Sequence, residues 1–383
     1  MTNASEFEKI SPIDDSQLQT YVDKLIADPT FQKIEQMFFP TLPLDAFAKI
    51  ARSCKTKLEF QKAFCYPFLK KLIKERTDGV KIDTTNLCPD ETPCTYVSNH
   101  RDILLDSGFL DVLMVDCNRD TVEIAIGDNL LIYPWIDWFV RINKSFIVRR
   151  QLGMRQMLES SILLSRYMHY CINEKRQSIW IAQREGRAKD SNDLTQEGVL
   201  KMFTMGGDGD IIDRLMQLNI VPLTISYEYD PCDYLKAKEF QQKLDSPEFK
   251  KSQQDDLLNM ATGVNGYKGR VVYRPAQSLN KKLAVIDRSL PKAELFTQIT
   301  KLIDRDIHSN YEIYPVNYVA LDQLDNTTHF TDNYSEADKA GFNDYLDKQI
   351  AKIDLEQRND TFLRTKMLEM YANPLRNYLK AKS

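Results

Sequence analysis

Between residues 95 and 273, short apolar and β-branched runs alternate with longer stretches of helical periodicity, and this alternation restricts the fold more than any other feature. The runs fall at 95–97, 122–126, 145–149, 178–182, 220–226 and 270–273, with helical stretches at 107–115, 154–172, 197–204 and 211–218 between them. Strands separated by helices require crossover connections, which place them in a parallel sheet with helices packed on its faces. The spacing predicts an α/β domain at 84–290, built on a mixed, mostly parallel sheet flanked by helices. The flanks read as helical additions. Within 1–83, Leu18, Tyr21, Val22, Leu25 and Ile26 form one apolar stripe, Asp28-Pro29-Thr30 interrupts it, and 58–73 sets Phe60, Phe64, Phe68, Leu69 and Leu72 among lysines. Within 291–383, amphipathic helices are predicted at 293–307, 336–355 and 361–379.

Composition bounds the chemistry. Apolar residues at 43% and charged residues at 28% suit a globular chain with a sizeable core rather than a disordered one. A formal net charge of −4 argues against a nucleic-acid partner. One stretch departs from that average: Lys49, Arg52, Lys55, Lys57, Lys62, Lys70, Lys71, Lys74 and Arg76 are basic enough to face an anionic membrane or an acidic carrier, or else form a solvated helix face. The seven cysteines (Cys54, Cys65, Cys88, Cys94, Cys117, Cys171 and Cys232) are odd in number and lack metal-ligand spacing, which fits reduced cytoplasmic thiols. No apolar leader opens the sequence and no run of about 18 apolar residues occurs, so membrane association is expected to be peripheral, on the inner face.

The most informative segment is Ser98-Asn99-His100-Arg101-Asp102-Ile103-Leu104-Leu105-Asp106-Ser107, which follows a predicted strand and enters a predicted helix. A strand-to-helix corner sets a side chain at the rim of the sheet, where open α/β folds bind ligands. An imidazole there can take a proton from an alcohol, while a carboxylate, Asp102 or Asp106, fixes its tautomer and stabilises the imidazolium. Alone, such a pair reads more simply as a capping Asp beside a surface His. Further segments give it company. Ser145-Phe146-Ile147-Val148 ends in Arg149 and Arg150. Ile179-Trp180-Ile181 leads to Gln183-Arg184-Glu185-Gly186-Arg187-Ala188-Lys189, and Ile220-Val221-Pro222-Leu223 is a further apolar strand. Arginines at the ends of neighbouring parallel strands converge on one edge, and their planar forks match phosphate oxygens. Gly186 lets the backbone turn close to a ligand.

In this order, the four segments resemble the motif blocks of the glycerolipid acyltransferase family, the glycerol-3-phosphate and 1-acylglycerol-3-phosphate (lysophosphatidate) acyltransferases. The blocks are His followed by Asp, the Phe146-Ile147-x-Arg149 strand end, Glu185-Gly186-Arg187, and the Val221-Pro222-Leu223 strand; they cover about half the chain. The resemblance implies an O-acyltransferase of phospholipid synthesis that moves a fatty acyl group from a thioester, acyl-CoA or acyl carrier protein, to a hydroxyl of glycerol 3-phosphate or lysophosphatidate. His100 would be the general base, with Asp106 or Asp102 behind it. Arg149 and Arg187 would hold the acceptor phosphate, with Arg101, Arg150, Arg184, Glu185, Gly186 and Lys189 nearby. No metal or redox cofactor is implied. The sequence departs from the family in two places. Four intervening residues after His100 lead to Leu105, which cannot orient an imidazole, and Asp106 comes one position later. The third block is compressed, which leaves open whether Arg184, Arg187 or Lys189 meets the phosphate.

Trp135, Trp138 and Phe139, with Ile132 and Tyr133, form an aromatic patch that could border an acyl site or a membrane, or simply be core. The basic, Phe-rich stretch 58–73 is a second candidate for membrane docking. His169, His308 and His329 read as structural or surface residues. There is no phosphate loop, dinucleotide fingerprint or Gly-x-Ser-x-Gly elbow. Two rivals stay open: acylation of an amino-acid lipid, and a catalytically inactive relative that binds an acyl carrier or a membrane, for which Leu105 is the main support.

Overall fold

A computed structural model describes residues 4–38, 42–150 and 152–383 of the chain. Its centre is a seven-stranded sheet: β1 (Val80–Ile82), β2 (Thr95–Ser98), β3 (Glu123–Gly127), β4 (Ser145–Val148), β5 (Ile179–Ala182), β6 (Ile220–Tyr227) and β7 (Val271–Pro275). The spatial order is β1-β7-β6-β2-β5-β3-β4. From β6 to β4 every pairing is parallel, β7 runs antiparallel to β6, and β1 runs parallel to β7. The expected mixed, mostly parallel sheet is therefore present. The unforeseen strand is β1, three residues with a lysine at its centre and too short to show periodicity. It lies inside the segment read as the helical N-terminal region, so the sheet begins before residue 84.

Side chains alternate across the strands, and each face receives its own helices. Tyr96, Trp180, Val221 and Leu223 pack with Phe109, Leu110 and Leu113 of the helix Leu105–Asp116. Val97, Ile179, Ile181 and Ile220 pack on the other face against Leu164 and Met168 of the helix Met154–Tyr170 and Ile299 and Ile303 of the helix Lys292–Ser309. Full burial of side chains such as Phe109 and Leu110 contributes roughly 1.5–3 kcal/mol each.

The N-terminal helices Leu18–Ala27, Pro29–Phe38 and Leu44–Ser53 build a separate cluster over Ile142 and Phe139 of the helix Pro134–Ile142. That helix carries the aromatic patch noted in the sequence. The stretch 58–73 is helical and widens into a π-turn at Gln61–Cys65. Its Phe60 and Phe64 are buried in the N-terminal cluster and Leu72 in the core under the sheet, where Phe68 and Leu69 are partly buried. Several of its neighbouring cations are also paired: Arg52 with Asp23, Lys57 with Asp15 and Lys70 with Asp116. At the other end of the chain, the helices Pro315–Asp325, Glu336–Ala351 and Asp360–Lys382 form a further cluster against Ala237. No helix among the described residues is long and apolar enough to cross a membrane.

Candidate active site

Because β2, β3, β4, β5 and β6 are parallel neighbours, their C-terminal ends meet along one edge, and each delivers residues there. β2 runs into Asn99 and His100, β4 into Arg149 and Arg150, and β5 into Gln183 and Arg184. The corner after β2 is pinned from several sides. Asn99 is fully buried and mimics a strand partner: its Oδ1 accepts from the Ile225 N–H at 2.8 Å and its Nδ2 donates to the Ile225 carbonyl at 2.9 Å. Gln183 N–H donates to the Ser98 carbonyl at 2.8 Å, and the Trp180 indole donates to the Ser98 hydroxyl at 3.0 Å. These bonds hold the backbone of His100 between β5 and β6.

The imidazole of His100 meets Asp106: Nδ1 lies 2.8 Å from Oδ2, with the Asp106 side chain 1% exposed. The same oxygen accepts the backbone N–H groups of Arg101 at 2.6 Å and Asp102 at 3.0 Å. A carboxylate fixed by two main-chain donors cannot swing away, and an Nδ1–H facing it leaves Nε2 as the basic nitrogen. Trp180 contacts the ring edge-on at a centroid distance of 6.0 Å. Asp102 has a different task. Its Oδ1 accepts from Leu104 N–H at 2.9 Å and Leu105 N–H at 2.8 Å, tying down the entrance to the helix Leu105–Asp116. Burial and then the charge of Asp106 push its carboxyl above the usual range, against those two bonds. Of the two carboxylates the sequence left open, Asp106 is the one on the imidazole. Leu105 is explained by the same turn: it is 2% exposed and belongs to the core with Phe109, while the next residue reaches back to His100.

His100 lines a cavity of about 1120 Å³. One part is apolar, formed among others by Phe68, Leu69, Ile103, Val112, Trp135 and Phe139. Its walls come from the sheet, the helix Leu105–Asp116, the π-turn helix and the aromatic patch. Another part is cationic. Arg149, Arg150, Arg184, Arg187 and Lys189 all line it, together with Glu185 and Gly186. Gly186 sits at a φ of +67°, a left-handed turn that favours glycine and lets the chain fold back along the cavity wall. Arg187 donates to Asn259 Oδ1 at 3.1 Å, while its Nη1 is buried and finds no partner among the described residues, as does Nε of Arg184. Buried guanidinium N–H groups without acceptors are costly, and an anionic ligand would satisfy them. Arg150 is turned partly toward Glu185, 3.8 Å away.

Arg101, expected near the substrate, lies elsewhere. It is buried beneath the corner, with Nη2 3.1 Å from Asp193 Oδ2 and 3.4 Å from the Tyr311 hydroxyl, and it is not among the cavity-lining residues. It ties the His100 loop to the C-terminal half of the chain. Lys189 lines the cavity and is paired with Glu239. The sequence pattern did not single out Lys236 or Lys251, which line the cavity from the helix Asp233–Asp245 and the segment after it, or Asn259 of the helix Gln253–Asn265, which accepts from Arg187. Both helices lack a strong apolar stripe. His169 and His308 are buried and bonded to the carbonyls of Phe203 and Asp193, as structural residues would be.

Residues 79–226 match the family model described as Acyltransferase. No curated protein sequence matches the chain. Among solved structures it is similar to the 1-acyl-sn-glycerophosphate (LPA) acyltransferase PlsC from Thermotoga maritima, with a TM-score of 0.36 and 12% identity over 77% of this chain and 97% of that one. The matched residues 79–226 contain the His100 corner and the three motif blocks that follow it.

Proposed function

We propose that this protein transfers a fatty acyl group from a thioester, acyl-CoA or acyl carrier protein, to a hydroxyl of glycerol 3-phosphate or 1-acylglycerol 3-phosphate, with His100 as general base. The observation that carries the reading is that one cavity joins the His100–Asp106 pair to an apolar compartment and to a wall of arginines. That combination suits a substrate pair with a hydrocarbon chain, a reacting carbonyl and a phosphate.

In this scheme the acyl chain occupies the apolar compartment, and Arg184, Arg187 and Arg149 hold the acceptor phosphate. Nε2 of His100 removes the proton from the acceptor hydroxyl as its oxygen attacks the thioester carbon. Asp106 stabilises the imidazolium that forms. The tetrahedral intermediate then expels the thiolate, which takes the proton from His100 and leaves as free thiol. A thiolate departs readily, so positioning and one base suffice, and no acyl-enzyme is required. Main-chain N–H groups at the Gly186 turn are proposed to stabilise the oxyanion. Docking to a membrane surface is part of the same proposal. It is supported by Met154, 94% exposed, and Leu158, 52% exposed, on the helix that begins just after Arg149 and Arg150.

The test is direct. Purified protein is incubated with labelled acyl thioesters on each carrier and with a panel of acceptors, following thiol release and the lipid product. Acylated glycerol 3-phosphate or phosphatidate is the expected product. Thiol release that does not depend on any phosphate-bearing acceptor would overturn the reading.

A further inference from the structure

Beyond the arginines, the cavity wall carries a second cationic centre. Glu239, on the helix Asp233–Asp245, has a side chain only 4% exposed, yet three ammonium groups converge on it. Lys189 contacts its Oε1, Lys243 lies 3.0 Å from the same oxygen, and Lys251 lies 2.9 Å from Oε2. Lys189 and Lys251 both line the cavity, and neither is more than a third exposed. Arg187 is close enough to act on both of them. Asp256 also lines the wall, and both it and Asp255, which accepts from Ser252, offset part of the charge on Lys251. Three ammonium groups thus share the one Glu239 carboxylate in a partly desolvated place, where like charges repel more strongly than in water. Burial and the neighbouring Lys243, Lys251 and Arg187 accordingly lower the proton affinity of the Lys189 amine.

We propose that Lys189, Lys243 and Lys251 form a second anion subsite, separate from the arginines, that takes a phosphate group of the thioester donor's carrier. Glu239 is the internal counter-ion that holds the three lysines together until that phosphate arrives. Lys189 and Lys251 line the same cavity as Arg187 and the apolar residues, so a donor whose acyl end lies in the apolar compartment would have these ammonium groups within the same cavity as its carrier. The inference rests on the thioester-dependent transfer proposed above. Phosphate chemistry is shared between a donor carrier and an acceptor headgroup, and the experiment separates them.

Coenzyme A and its analogue lacking the 3′-phosphate are titrated calorimetrically into the full-length protein and into Lys251→Gln and Glu239→Gln. KM is measured in parallel for acyl-CoA, for the phosphate-free acyl-pantetheine and for the acceptor. Loss of one charge-assisted contact predicts about tenfold weaker coenzyme A binding in Lys251→Gln, and a roughly tenfold narrowing of the KM ratio between the two donors. Glu239→Gln, which removes the competing carboxylate, is expected to bind coenzyme A several-fold more tightly, a sign that a purely structural ion cluster would not give. Should Glu239→Gln fail to fold, Lys251→Gln decides alone. A KM effect confined to the acceptor would overturn the donor assignment, and coenzyme A binding unchanged by Lys251→Gln would overturn the subsite. If the wild type transfers no acyl group but binds coenzyme A in a Lys251-dependent way, the proposed function fails and the subsite stands.

Discussion

Asp106 and Asp233 are both buried carboxylates at the start of helices, and the contrast between them shows how the same group can orient a cavity-lining ring in one place and fasten helices in another. Asp106 places one oxygen on two backbone N–H groups and the His100 ring, and that ring lines the cavity. Asp233 is enclosed by the C-terminal helices. Its Oδ2 accepts from the hydroxyls of Tyr345 and Tyr371 at 2.7 Å each, and its Oδ1 accepts from Gln349 Nε2 at 2.6 Å. Burial and the nearby Asp230 push the Asp233 carboxyl up to about 7. Neither residue lines the cavity itself. They differ in what they hold: Asp106 orients a titratable ring at the rim of the sheet, while Asp233 fastens the helices Glu336–Ala351 and Asp360–Lys382 to the α/β body.

Substitutions at the two positions should therefore fail in different ways. The largest effect is expected at Asp106. Asp106→Asn should keep the fold but mis-set the His100 tautomer, lowering kcat on the order of 10²- to 10⁴-fold with KM little changed; steady-state kinetics beside a circular dichroism spectrum would show it. Next comes Arg187→Ala, for which KM of the phosphate-bearing acceptor should rise about tenfold or more through loss of a charge-assisted bond. An equal rise for a phosphate-free alcohol would remove Arg187 from phosphate binding.

At Asp233 the readout is stability, not turnover. Its folded-state value lies above its unfolded one, so the group's contribution is complete below about pH 4 and is lost as pH rises through about 7. Denaturant unfolding at pH 5 and pH 8 should show the wild type losing stability on going to pH 8, with a smaller loss in Asp233→Asn. The transfer rate at a temperature where both are folded should be the same. The smallest effect is expected at Asp102. Asp102→Ala removes the two bonds to the Leu104 and Leu105 N–H groups at the helix entrance, costing about 1 kcal/mol or more, and turnover should stay within a few-fold of wild type. A loss as large as that of Asp106→Asn would mean that the carboxylate roles have been exchanged.

The same contrast explains what could be read from the sequence. The His100 corner is local: strand, imidazole, carboxylate and helix lie within about twenty residues, and six of the seven strands carry enough β-branched residues to be recognised. The choice between Asp102 and Asp106 was not legible, because it depends on where the helix begins. Capping by Asp102 starts it at Leu105 and turns that leucine into the core. Arg101 was misplaced for a similar reason. An arginine beside a candidate general base looks like a substrate ligand until a partner 92 positions later, Asp193, is seen to claim it. Long-range groups such as Asn259 and Glu239 sit on helices with weak apolar patterns, Lys251 lies in the segment between those helices, and no spacing rule connects them to β5. The Asp233 cluster draws its partners from residues more than a hundred positions away, and nothing in the local pattern announces it.

The central claim is that a single imidazole, held by Asp106 at the rim of the sheet, draws the proton from the attacking hydroxyl. The most direct measurement is the single-turnover rate of acyl transfer from a thioester to glycerol 3-phosphate or lysophosphatidate by His100→Ala, with unfolding measured in parallel. The account predicts a loss of about 10³-fold or more in a protein whose melting temperature is close to wild type. A well-folded His100→Ala that transfers acyl groups within a few-fold of the wild-type rate would contradict it.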